Sequence, residues 1–94
     1  MADFSVPIIF YLMARHGSRP VVPLDEVAKD YFPHLSTQKL LQKCLRGEIA
    51  LPIMRIEGSQ KSARGVDIRD LAVYIDRRRE AAIRERDALC GPEN

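Results

Sequence analysis

Ninety-four residues, 46% of them hydrophobic, with 15 Lys and Arg against 13 Asp and Glu, make one small domain, 1–94, of net charge +2. Such a chain has a core large enough to fold alone but no room for a second domain. The apolar run from Val6 to Ala14 is too short to span a bilayer and no Lys or Arg precedes it as a signal peptide requires, so the chain reads as cytoplasmic, with no membrane partner.

The first predicted element is a helix over 5–16, with Ser5 as N-cap and Pro7 in the first turn, where a missing N–H costs nothing. Its body, IIFYLMA, is apolar all round, so it is expected to be buried, and periodicity alone leaves a buried strand open beside the preferred helix. Gly17 is a natural helix stop, and GSRPVVP reads as a connector because Pro20 and Pro23 forbid a continuous helix. Pro23 then opens a helix over Leu24–Phe32, whose Leu24, Val27, Ala28, Tyr31 and Phe32 form one apolar stripe. Pro33 ends it, since the residue before a proline is pushed out of the helical region.

Ser36 is placed to cap a second short helix, Ser36–Arg46, closed by Gly47. At about 100° per residue, Leu40, Leu41, Cys44 and Leu45 occupy an arc of about 140° facing the core. The opposite arc holds Gln38, Gln42, Arg46, Lys39 and Lys43 without one carboxylate. These two helices around a tight turn read as helix-turn-helix.

LPIMRIE follows as a strand, with Ile53 and either Ile56 or Met54 turned inward. GSQKSARG, residues 58–65, has no large apolar side chain to bury. Val66 and Ile68 resume the apolar pattern, so the segment is expected to be the tip of a two-stranded basic hairpin in solvent, a wing. The last element is a long helix, 68–89, with Asp67 as N-cap and Ile68, Leu71, Ala72, Ile75, Ala82 and Ile83 on one face. Its distal half is mostly charge, including a Glu80 and Arg84 pair at i, i+4 spacing. Gly91 and Pro92 close it, and the tail beyond is expected to be disordered. The expected fold is mostly α with a small β-hairpin: a winged helix-turn-helix.

Charge is unevenly spread. Residues 34–65 carry six cations against Glu48 and Glu57, whereas the segments on either side each sum to −1. A locally basic segment in a nearly neutral chain is the expected footprint of nucleic-acid binding, and an ordinary solvated face, the commoner origin of a charge run, is the alternative. On a helix in the major groove, Gln38 and Gln42 suit adenine and Lys39 suits guanine. Ser36, Thr37 and the helix N-terminus suit a phosphate, as do Lys43 and Arg46 further along. Ser59, Gln60, Lys61, Ser62 and Arg64 of the wing are placed for backbone or an adjacent groove.

Catalysis finds no footing. His16 and His34 have no Cys, Asp or Glu at a metal-ligand spacing and neither begins a triad. GSQKSARG lacks the Gly that a phosphate loop needs before its Lys. No enzyme activity, metal or cofactor is expected. Cys44 on the core stripe and Cys90 near the tail read as reduced thiols.

The order Leu24-x-Glu26-Val27-Ala28, Leu35-Ser36, Arg46-Gly47-Glu48-Ile49, a strand, a basic hairpin and Asp67-Ile68-Arg69-Asp70-Leu71 resembles the winged-helix fold of excisionases and MerR-type regulators. More closely, VPLDEVAKDYFPHLSTQKLL, GEIALPIMRIE and SQKSARGVDIRDLAVYIDRRREAA resemble the pyocin activator protein family, PrtN-type, over residues 8–82. The resemblance implies a phage-related bacterial transcriptional activator that binds double-stranded DNA boxes near promoters of bacteriocin or prophage genes, with RNA polymerase as a further partner. It assigns 36–46 as recognition helix and 59–65 as wing. An excisionase-like architectural role, or a protein-interaction module using the same basic face, are the alternatives. The distal half of the last helix, with the Ile8–Met13 segment, is expected to pair protomers as a homodimer or higher oligomer on DNA.

Overall fold

The computed structural model describes residues 6–58 and 63–91. In chain order the elements are α1 (Ile8–Arg15), β1 (Val21–Pro23), α2 (Leu24–Tyr31), α3 (Thr37–Leu45), β2 (Met54–Arg55), β3 (Arg64–Asp67) and α4 (Ile68–Cys90). This is the mostly α architecture with a small β component that the apolar periodicities predict.

The strands form a three-stranded antiparallel sheet in the order β1-β3-β2. The expected hairpin is present, with Met54 opposite Gly65 and Arg55 opposite Arg64, and Ile56 N–H donating to the Ala63 carbonyl at 3.0 Å. The third strand overturns the reading of GSRPVVP as a plain connector: Val21, Val22 and Pro23 pair with Asp67, Val66 and Gly65. Pro23 fits because β1 is an edge strand. Gly65 is required by this pairing, since a Cβ there would lie 2.6 Å from Val21 Cγ1 and 2.9 Å from the Val22 carbonyl oxygen.

One core joins the elements. Val22 and Val66 of the sheet, Leu24, Val27, Ala28 and Phe32 along the α2 side, Leu40 of α3, and Ile68, Leu71 and Ala72 of α4 are all buried, with Leu12 from α1 and Leu51 from the loop after α3. α1 lies along α4 and α2 packs on both α3 and the sheet. The α2 stripe is as expected, Tyr31 being its half-buried edge. Burying a Leu or Val side chain stabilises by about 1.5–3 kcal/mol, which is why both short helices persist despite lengths that would be marginal in isolation.

Caps set the boundaries. Ser36 Oγ accepts from Lys39 N–H at 3.1 Å and an Asp67 oxygen accepts from Arg69 N–H at 2.8 Å, so both predicted N-caps are formed. Gly47, at φ +77°, takes the left-handed conformation that stops α3. α1 is shorter than expected: Pro7 is its N-cap residue, without a side-chain bond, and Ser5 lies outside the described residues. α4 ends one residue beyond the predicted Leu89.

Apolar placements differ from expectation in three places. In α1, whose IIFYLMA body was expected to be buried, only Leu12 is fully buried and Ile8 and Ile9 pack partly on the core, while Phe10, Tyr11 and Met13 are exposed, because one small core can cover only one side of a helix at its surface. Leu45 is 63% exposed rather than core-facing. It ends α3 and sits on the far side of the arc from Leu40, so the partner surface no longer reaches it. In the β2 region only Ile53 packs against the core, while Met54 and Ile56 are exposed and Leu51 takes the buried position. β2 is an edge strand of two residues and cannot impose inward alternation over the whole LPIMRIE segment.

α4 has 23 residues, or about 34 Å at 1.5 Å per residue. Its buried positions stop at Ala72. The distal half runs past the core, and the longest dimension of the chain is 51 Å against 28 and 20 Å for the others. No described helix is long and apolar enough to cross a membrane.

Candidate nucleic-acid interface

α3 is held by its apolar side only. Leu40 is fully buried, Leu41 and Cys44 pack on the core from its flanks, and Thr37, Gln38, Lys39, Gln42 and Arg46 all face solvent. Burial raises the Cys44 thiol pKa, which suits a packing role. Cys44 forms no disulfide among the described residues.

The N-terminal end of α3 is electrostatically open. α2 carries Asp25 and Glu26 in its first turn and α4 carries Asp70, whereas the first turn of α3 has no acid. Its dipole and outermost amides are therefore not offset by a local carboxylate, an arrangement that favours an external anion.

The C-terminal end is different, and here the carboxylate-free reading of the face needs correcting. Glu48, just past the helix, turns back so that its carboxylate lies 2.9 Å from Arg46 Nε and 3.3 Å from Lys43 Nζ. The helix itself has no acid, but the loop supplies one. The two cations assigned to phosphate are thus already paired, through exposed contacts of the kind worth about 0–1 kcal/mol. Arg78 of α4 reaches the same neighbourhood, lining with Lys43, Glu48, His34 and Tyr74 a cleft of about 390 Å³.

The expected wing is placed only in part. Ser59, Gln60, Lys61 and Ser62 lie outside the described residues. Arg64 is not at the tip, as the glycine-bounded segment suggested, but in β3 and half-buried. Directly opposite stands exposed Arg55, a residue that sequence reasoning did not single out. Opposed residues of an antiparallel pair share a face, and like charges there are destabilising unless an anion lies between them. Only the strand register reveals this pairing.

A second polar cluster, also missed, joins α1 to α2. His16 is 2% exposed. Its Nδ1 lies 2.8 Å from Glu26 Oε2 and its Nε2 2.8 Å from the Tyr31 hydroxyl. A carboxylate only accepts, so Nδ1 donates, and in the neutral ring Nε2 accepts the tyrosine proton. Arg19 donates to the same Glu26 oxygen at 2.7 Å and to the His16 carbonyl at 2.9 Å. The Arg19 hydrogen bond, followed by that of His16, holds the Glu26 carboxyl below its usual pKa, while burial pushes the Tyr31 hydroxyl up. Ligand atoms of His16, Glu26 and Asp30 lie within 4.8 Å of one another, so the fold gathers a His and two acids that are distant in sequence. The guanidinium of Arg19 on Glu26 and that of Arg15, 2.9 Å from Asp30, supply the positive charge there. The arrangement is an ion-paired clamp that fixes the end of α1 to α2.

The model of the pyocin activator protein PrtN family matches residues 8–82. The chain belongs to this family. The match runs from α1 through about the first two thirds of α4 and so includes the clamp, α3 and the whole sheet. Neither the curated proteins nor the solved structures contain a match. Membership in a family of pyocin activators points to transcriptional activation of pyocin genes, a regulatory role rather than an enzymatic one.

Proposed function

We propose that this chain is a sequence-specific, double-stranded DNA-binding transcriptional activator of pyocin-type bacteriocin or prophage genes, acting in the bacterial cytoplasm and contacting RNA polymerase. The observation that carries the reading is the outer face of α3: Thr37, Gln38, Lys39 and Gln42 are exposed on a helix whose other side is anchored through Leu40 and whose first turn carries no acid.

In this reading α3 enters the major groove with Gln38, Lys39 and Gln42 toward base edges. Ser36 and Thr37 meet a phosphate at the helix N-terminus. Lys43 and Arg46 leave Glu48 for a second phosphate. Ser59, Gln60, Lys61, Ser62 and Arg64 of the wing, joined by Arg55 at its base, lie on the neighbouring backbone. Each winged domain covers a short site, so two protomers on two half-sites give the affinity an operator needs.

Selection of bound fragments from random duplexes, followed by affinity measurements on the winner, tests this directly. Gln42→Ala is expected to cost about 1–3 kcal/mol on the preferred site and almost nothing on random DNA. Equal losses on both would remove the base-reading role, and no enrichment of any sequence would remove the reading altogether.

A further inference from the structure

α1 has a second face that the domain does not use. Phe10 and Met13 follow one another at helical spacing and are 57% and 36% exposed, with Tyr11 beside them at 67%, and Val6, just before the helix, is 66% exposed. Across a groove of about 400 Å³, which Val6 lines together with Ile8 and Ile9, Val73 of α4 adds a further exposed apolar side chain at 47%. From Ile8 to Ala14 the helix has no charged residue, so this outer surface has nothing with which to select a charged partner.

The amount of surface decides what fits. Since a whole aromatic side chain presents about 150–250 Å², the five exposed fractions leave on the order of 500 Å² of apolar surface per protomer. Monomers rarely expose a contiguous patch above a few hundred Å². Two copies placed face to face would cover about 1,000 Å², the lower bound for a stable protein interface. The groove edge carries one acid and one base, Asp76 and Arg79, and a rim with one charge of each sign is self-complementary about a two-fold axis. We propose that the outer face of α1, with Val73 of α4, is the contact between two copies of this chain, and that the charged distal half of α4 is not.

The pairing is a property of the free protein and is measured without DNA, so its failure is separable from failure of the DNA-binding reading. Sedimentation equilibrium of the full chain should show a concentration-dependent mass rising from 10.7 kDa to twice that value. Phe10→Glu with Met13→Glu replaces two exposed side chains, so helix content should persist while the mass stays at 10.7 kDa at every concentration. Leu89→Glu, on the distal half of α4, should pair as the unmodified chain does. The proposal is overturned by a full chain that stays monomeric at millimolar concentration, which would give the face to a different protein, or by pairing that survives the α1 substitutions, whether or not Leu89→Glu abolishes it.

Discussion

α1 and α3 are nearly the same length, eight and nine residues, and each buries one leucine completely, Leu12 and Leu40. They differ on the side turned away from the core. α1 presents Phe10, Tyr11 and Met13, and α3 presents Gln38, Lys39 and Gln42. The inner faces show how this domain holds a short helix, and they are interchangeable in kind. The outer faces contribute little to stability, and their chemistry suits the partners proposed above: an apolar surface for α1, an anionic polar one for α3.

The comparison breaks most completely when an inner face is damaged. Leu40→Ala is expected to cost about 2–5 kcal/mol, the usual range for a fully buried leucine. Because a domain of this size has about 5–15 kcal/mol in total, denaturant unfolding should show a large drop in midpoint, accompanied by loss of any DNA binding. A loss below 1 kcal/mol would mean that α3 is not anchored as described.

A smaller effect is expected from the cations around the wing. Arg55→Ala, made together with Lys61→Ala and Arg64→Ala, should weaken binding to all duplexes and flatten the slope of log affinity against log salt by about two to three units. Arg55→Ala alone should leave the melting temperature unchanged or raise it slightly, because it relieves the opposition to Arg64. An unchanged salt slope in the triple variant would assign these charges to something other than phosphate.

The smallest effect sharpens the contrast within α3 itself. Glu48→Gln frees Lys43 and Arg46 from their carboxylate, so affinity for duplex DNA should rise about two- to fivefold at low salt, in keeping with exposed ion pairs worth at most about 1 kcal/mol. The gain should fade as salt is raised. Weaker binding in this variant would show instead that Glu48 positions those cations for use.

What was legible in the sequence follows the range of the interactions. Ser36 and Asp67 act on amides two or three residues away, and Gly47 stops α3 by its own φ angle, so local chemistry was enough to place them. The partners of β1 lie more than forty residues downstream, and a three-residue strand ending in proline has no periodicity of its own. His16 likewise reads as a turn residue until folding brings Glu26 and Tyr31 to its two nitrogens. Within the candidate interface, the composition of the α3 face was readable from helical spacing. The placement of Glu48, Arg78 and Arg55 beside it depends on a loop, a distant helix and a strand register, none of which leaves a pattern in the chain.

The sheet makes two joints without slack. β1 ends at Pro23 and α2 starts at Leu24, while β3 ends at Asp67 and α4 starts at Ile68. Neither junction has a spacer residue to absorb torsion, and the second is braced by the Asp67 carboxylate, which takes both the Arg69 amide and a two-pronged grip from its guanidinium at 2.9 and 2.6 Å. The braced joint therefore sets where the far end of α4 lies: a difference of about 10° in the angle at which the helix leaves Asp67, carried along a rod of 23 residues at 1.5 Å each, would displace the Cys90 end by roughly 6 Å.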